Sequence, residues 1–277
     1  MVVRQPDELQ RALNQARAAP WWLVALAVIL PCINWLQMSA VFWLLTRRRA
    51  HARVPIGEMT ALIGSAWLLN YIPMRPGLFG RIALHRTLHD IPVRDSTMVL
   101  VENIACGAVA IAFALAGIIA MRFAIPSWQG ALLCTALLAP PLMAIVLLHG
   151  AWRTWSQVTL LRSMDLLVWS ARYATAAQIT GNPVSASEAI SLAIVSQIAM
   201  LVPLAGNGLG LREWAIGFTA ASLPAAWSMS SQGMTSETGL LVDLMNRAAE
   251  LAAAIPVGIV CGMVVARRVA QGKPENR

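Results

Sequence analysis

Lysine occurs once in this sequence, at Lys273, and charge of either sign is scarce: 12% of the 277 residues are Asp, Glu, Lys or Arg. A soluble domain carries about 25%, so a surface solvated all round is excluded. With lysine confined to position 273 there is no G-x-x-x-x-G-K-[ST] loop, which excludes a P-loop ATPase within this chain. Also missing are the G-x-S-x-G elbow of a membrane hydrolase and the H-E-x-x-H pair of a zinc protease. The cysteines, Cys32, Cys106, Cys134 and Cys261, form no C-x-x-C pair and fall in apolar segments, where they read as packing residues. No cleavable leader is expected, because the first long apolar run begins at Trp21 and continues to Thr46.

Apolar residues are what the chain has in excess: 58% of it is hydrophobic, with a mean hydropathy of +0.63. Several runs reach the ~20 apolar residues that cross a bilayer. The fold class expected is an all-α polytopic membrane protein. Segments 21–46, 98–121, 130–150, 160–180 and 238–265 read as full spans, with kinks expected at Pro31 and Pro140-Pro141. Tryptophans 21, 22, 43, 128, 152 and 155 lie near span ends, as an interfacial belt does. The net charge of +8 would point to nucleic acid in a soluble protein; beside apolar spans it reads as the basic bias of cytoplasmic loops, and no nucleic-acid partner is expected. Residues 6–19 read as a short polar helix, with Asp7 and Glu8 in its first turn.

Two shorter apolar stretches, 58–72 and 188–205, lead into glycine- and proline-rich sequence: NYIPMRPGLFGRIAL (70–84) and LVPLAGNGLGLREWA (201–215). Each has a proline, then Gly-Leu, then an arginine four residues after that glycine: Gly77-Leu78 with Arg81, and Gly208-Leu209 with Arg212. Each reads as a re-entrant hairpin of two half-helices, over about 58–90 and 188–223. Placing the basic loop 47–53 (RRRAHAR) in the cytoplasm puts 81–97, 151–159 and the tail 267–277 there too, so the C-terminus is expected inside. The outer segments 122–129, 181–187 and 224–237 then carry Arg122 as their one basic residue, while the polar segment 1–20 fits this arrangement poorly. The hairpins would enter from opposite faces, the pattern of an inverted-repeat transporter with a midplane site.

At these residues the chain resembles the transmembrane-region family of lysylphosphatidylglycerol synthases, which are flippase-like integral membrane proteins. NWLQMSAVFWLLTRRR is similar to its early helix with an aromatic-basic end, NYIPMRPGLFGR to its Asn…Pro…Arg-x-Gly-Glu…Arg element, and LVENIACG to a helix opening on glutamate. LVPLAGNGLGLREWA is similar to its Pro…Gly-Gly-Leu-Gly-x-Arg-Glu stretch, and VDLMNRAAEL to its closing helix with an embedded arginine. Leu78 stands where the family usually has glutamate, and the polar helix stands where the family commonly has a further span. The resemblance implies a single flippase-like domain over 21–266 without the aminoacyltransferase domain, in a bacterial cytoplasmic (inner) membrane. It also implies membrane-lipid partners, whether phospholipid, glycolipid or isoprenoid lipid.

Candidate site residues follow from the charges inside apolar segments, which default to function. In Asn207, Gly208, Gly210, Arg212 and Glu213, the glycines allow unusual backbone and the half-helix after Gly210 offers N–H groups to an anionic headgroup. Arg212 adds a planar fork, and Glu213 would orient it or meet an amine; the alternative is an Arg212–Glu213 pair that only ties the hairpin down. Asp243, Arg247 and Glu250 share one helical face, and stand either as a phosphate clamp with a titrating acid or as a salt-bridge ladder. Asp165 and Arg172, seven apart with Arg162 nearby, are expected to pair structurally. Asn70, Arg75, Gly77, Arg81 and Glu102, with Asn103, are candidates for the inner half of a pathway. Ser185-x-x-Glu188 reads as a capping box. His85 and His89 beside Asp90 have a spacing that can hold a metal, but they fit an interfacial basic helix better.

No complete catalytic constellation is present, so no enzyme, cofactor or metal is expected. The leading function is a lipid transporter binding a headgroup between the hairpins. The alternative is a non-transporting scaffold or accessory subunit of a lipid- or polysaccharide-synthesising enzyme. An intramembrane transferase using Glu213 or Glu250 has no recognisable motif behind it.

Overall fold

The computed structural model describes residue 14 and residues 17–50, 54–72, 76–121, 128–200, 210–222 and 235–271. Among these residues the regular elements are helices and no strand occurs: α1 (Trp21–Ala50), α2 (Ile56–Leu69), α3 (Pro76–His89), α4 (Val93–Met121), α5 (Gln129–Leu147), α6 (Ala151–Ile179), α7 (Ala186–Ala199), α8 (Leu211–Ser222) and α9 (Ser236–Ala270). Of the polar segment 6–19, Asn14, Arg17 and Ala18 are helical and most of the rest lies outside the described residues.

Proline sets several of the starts. Pro20, Pro55 and Pro92 each stand one residue before a helix, and their carbonyls accept the first helical hydrogen bonds, from Leu23, Glu58 and Asp95 at 3.0–3.1 Å. Pro76 opens α3, where its missing N–H costs nothing. At the other ends, Arg47, Arg48 and Arg49 close α1 and Arg267 and Arg268 close α9, opposing the negative end of the helix dipole. The basic segment 47–53 is therefore helical as far as residue 50, and the C-terminal basic segment up to 270. Composition marks only the apolar stretch of a helix, so the expected spans miss these polar turns. Helix α7 opens on the expected capping box: Ser185 Oγ accepts from Glu188 N at 3.3 Å, and Glu188 Oε2 accepts from Ser185 N at 2.8 Å.

Among the described residues, four helices are long and apolar enough to cross a membrane: Trp21–Arg49, Val93–Met121, Gly130–Leu147 and Ser236–Ala270. The fifth expected span, now the 29-residue α6, is not among them, because Arg153, Arg162, Asp165 and Arg172 interrupt it. Pro31, Pro140, Pro141 and Pro256 all sit inside helices that continue through them. Large apolar side chains face outward, with Val146 at 77% and Leu147 at 66% exposure on α5. Outward apolar faces on helices of this length fit a multi-pass membrane protein.

Two compact units make up the chain, one of residues 1–33 and 167–253 and the other of residues 34–166 and 254–277. The second has a core of Val41, Phe42, Leu45, Met59, Ile63, Val99, Cys106 and Val158, contributed by α1, α2, α4 and α6. The first buries Tyr173, Ala177, Ile190, Leu192, Ile216 and Val242 from α6 to α9.

The two expected hairpins are pairs of short helices packed on each other, α2 with α3 and α7 with α8. Gly77 makes the first pair possible. A Cβ there would run into the backbone of Ala66 and come within 2.8 Å of Asn70 Oδ1, whereas one at Gly80 would meet nothing within 4 Å. Gly77→Ala is expected to destabilise the protein by about 1–3 kcal/mol through overpacking. Gly80→Ala should stabilise it by about 0.5–1 kcal/mol through helix propensity. Thermal melts of the two purified variants in detergent should therefore shift in opposite directions.

Candidate functional site

The unit of residues 1–33 and 167–253 holds the charges of the second hairpin and the closing helix. Asp243, Arg247 and Glu250 recur along one face of α9, and all three are buried, as is Asn246 between them. Arg212, in the first turn of α8, is fully buried; its Nε and Nη2 both donate to Asp243 Oδ1, at 3.0 and 2.7 Å. The Tyr173 hydroxyl of α6 donates to the same oxygen at 2.8 Å. Arg172, one residue earlier, reaches Glu250 Oε2 at 2.5 Å and Asn246 Oδ1 at 3.1 Å. Arg247 Nε lies 2.7 Å from Glu213 Oε1, and Arg212 Nη1 lies 3.7 Å from Glu250 Oε2. Trp169 covers two of the cations, with Arg172 Cζ 3.7 Å and Arg212 Cζ 5.2 Å from its ring centroid.

This arrangement corrects three expectations. Arg212 and Glu213 do not pair with each other: consecutive side chains on a helix point about 100° apart, so Arg212 turns to Asp243 and Glu213 to Arg247. Asp165 and Arg172 do not form the expected pair either, being two turns and about 10 Å apart along the helix. Asp165 accepts instead from Arg162, one turn away, at 2.8 Å and from Asn34 at 2.7 Å, while Arg172 goes to Glu250. Third, the N–H of Gly210, just ahead of α8, is already taken. Gly210, at φ +85°, donates its N–H to Glu213 Oε2 at 2.6 Å, so a carboxylate of the chain already sits at that positive end. Asn207 and Gly208 lie outside the described residues.

Three guanidinium groups (Arg172, Arg212, Arg247) thus meet three carboxylates (Glu213, Asp243, Glu250), and the cluster is formally neutral. Of the two readings left open for α9, the ladder is the one present in the geometry. Arg212 Nη1, Asp243 Oδ2 and Asn246 Nδ2 nevertheless have no hydrogen-bond partner among the described residues. Arg172, Tyr173, Asn246 and Trp169 were not picked out as members of this cluster. Their one signal in the sequence was a run of hydrogen-bonding and aromatic residues inside otherwise apolar helices.

The first-hairpin candidates lie in the other unit, residues 34–166 and 254–277. Asn70 caps the C-terminus of α2, and Gly77 and Arg81 lie on the buried face of α3; Arg75 is outside the described residues. Glu102 is buried and engaged by Arg48 at 2.5 Å and by Arg49 at 3.0 Å, at the end of α1. The neighbouring Asn103 is buried, and its Oδ1 has no partner among the described residues. His85 Nδ1 lies 3.2 Å from Ser96 Oγ and His89 Nε2 lies 3.3 Å from Glu58. Among the described residues no group of three or more His, Cys, Asp or Glu side chains is placed to hold a metal.

No family model matches the chain, and no curated protein or solved structure does either.

Removing one member of a buried pair strands the other. Arg212→Met is therefore expected to cost about 3–5 kcal/mol. Adding Asp243→Leu in the same chain should recover a large part of that loss, because no uncompensated charge remains. A double-mutant cycle on denaturation of the purified protein reads the coupling directly; additive effects would remove Asp243 as the partner of Arg212.

Proposed function

We propose that this protein is a flippase-like lipid transporter, and that the Arg212–Asp243–Arg247–Glu250 cluster with Glu213 is where it handles a polar headgroup. One observation carries this reading: a buried ionic cluster spread over α6, α8 and α9, neutral in sum, still has donors and an acceptor without partners among the described residues, at Arg212, Asn246 and Asp243. Buried polar groups normally find partners, and charges inside apolar helices mark substrate or ion pathways. A headgroup that donates as well as accepts hydrogen bonds, on a phospholipid, glycolipid or isoprenoid lipid, suits such a cluster better than a bare anion.

The two short helix pairs are, in this reading, re-entrant hairpins of a lysylphosphatidylglycerol-synthase-like transmembrane domain. The domain sits in a bacterial cytoplasmic membrane with its C-terminus inside. Ion pairs that exchange partners supply the two states that alternating access needs. No catalytic step is proposed. The second reading, a non-transporting accessory subunit of a lipid- or polysaccharide-synthesising enzyme, is favoured by the neutrality of the cluster, since three internal pairs can serve only to hold helices together.

Lipid movement separates the two. The full chain, reconstituted in liposomes with a fluorescent short-chain phospholipid, should move that lipid between leaflets. Arg247→Gln and Arg212→Ala proteins that remain monodisperse should not. Mass spectrometry of co-purifying lipids should show one headgroup class enriched in wild type and lost in Arg212→Ala. Normal movement by a well-folded Arg212→Ala protein would sink the mechanism, and a wild-type protein that moves no lipid and enriches none would favour the accessory subunit.

A further inference from the structure

Helix α3 is turned inside out for a soluble helix. Phe79 is 63% exposed, while the residues it buries are Gly77, Arg81 and His85, one polar stripe at four-residue spacing. Arg81 is 4% exposed and lies with its Cζ 3.7 Å from the centroid of the buried Phe42 ring. The ring attracts the cation but accepts no in-plane hydrogen bond. Arg81 Nε and Nη2 have no hydrogen-bond partner among the described residues, and no carboxylate there pairs with it.

The buried or half-buried acids among the described residues of this unit face other cations. Glu58 faces His89, Asp95 faces Arg49, Glu102 is held by Arg48 and Arg49, and Asp165 is held by Arg162. Asp90 is exposed. Arg212 supplies the comparison: the two nitrogens it gives to Asp243 are Nε and Nη2, the side-on edge of the fork. In Arg81 that same edge meets no partner among the described residues. It is the edge that takes a carboxylate or phosphate through two parallel N–H···O bonds, and an uncompensated buried cation costs several kcal/mol. His85, one turn along, adds a further group: its Nε2 is also buried and has no partner among the described residues. In the tautomer in which Ser96 donates to Nδ1, Nε2 is the ring nitrogen that carries the proton.

We propose that the buried face of α3 is a second binding site, distinct from the neutral cluster described above, in which Arg81 receives a phosphate oxyanion on its Nε/Nη2 edge with His85 beside it. Phosphate of this charge is offered by an anionic phospholipid headgroup or by the free ion. The site carries one net positive charge, and one monoanionic phosphodiester neutralises it.

The experiment uses the full chain, purified in detergent and stripped of lipid, and titrated with dioctanoyl-phosphatidylglycerol or with inorganic phosphate by calorimetry. Wild type should bind one equivalent of at least one probe. Arg81→Met should weaken that binding about tenfold or more, the value of a lost charge-assisted hydrogen bond. Without a probe, Arg81→Met should melt no lower than wild type, because it removes an unpaired cation. Binding of the lipid alone assigns the site to a headgroup; equal competition by inorganic phosphate assigns it to the free ion. If Arg81→Met does not fold, Arg81→Lys, which keeps the charge and drops the fork, should show the weakened binding. Undiminished binding by either variant overturns the proposal, as does a wild-type protein that binds neither probe.

Discussion

The organising constraint in this molecule is the cost of keeping ionised side chains out of water. A carboxylate or guanidinium in an apolar surrounding has to be paired and hydrogen-bonded, or it destabilises the fold by several kcal/mol. In the unit of residues 1–33 and 167–253 the constraint is met largely by pairing: three arginines and three carboxylates interlock, and Tyr173, Asn246 and the Trp169 ring take up part of what the pairs leave. The backbone answers to the same rule. Helices satisfy their own N–H and C=O groups, and among the described residues the regular segments between membrane-length helices are further helices.

The short helix pairs show how local chemistry places charges that a straight span would exclude. A glycine at 77 allows α3 to lie against α2, which sets Arg81 and His85 on the buried side and Phe79 on the outer one. Gly210, a left-handed residue, stands immediately before α8, and Arg212, two residues on, falls in the helix's first turn against Asp243. In both cases the glycine decides where an arginine goes. The outcomes differ because an acid stands opposite Arg212 and none among the described residues stands opposite Arg81.

An Arg-rich, Lys-poor sequence suits this use. A guanidinium keeps its charge when buried and offers a planar edge with two parallel donors. Arg212 uses that edge on a carboxylate, and Arg48 and Arg49 share Glu102 between them at the end of α1. A lysine in the same positions would bring a compact, strongly hydrated charge that loses more on burial.

The sequence alone determined the all-helical class, the apolar character of the long helices, the short helices of α2 with α3 and α7 with α8, the capping box at Ser185 and the shared face of Asp243, Arg247 and Glu250. These follow from hydropathy, from helical periodicity and from glycine and proline chemistry, which act over a few residues. It did not determine partners. That Arg172 leaves Asp165 for Glu250, 78 residues away, and that Tyr173 joins Asp243, 70 residues away, depends on which helix faces are packed together. Spacing along one helix cannot show which charge stands across from another, and a buried charge takes the neighbour that packing supplies. Tertiary structure therefore decided which arginines are paired within the chain, and that Arg81 among them is buried with its fork unfilled.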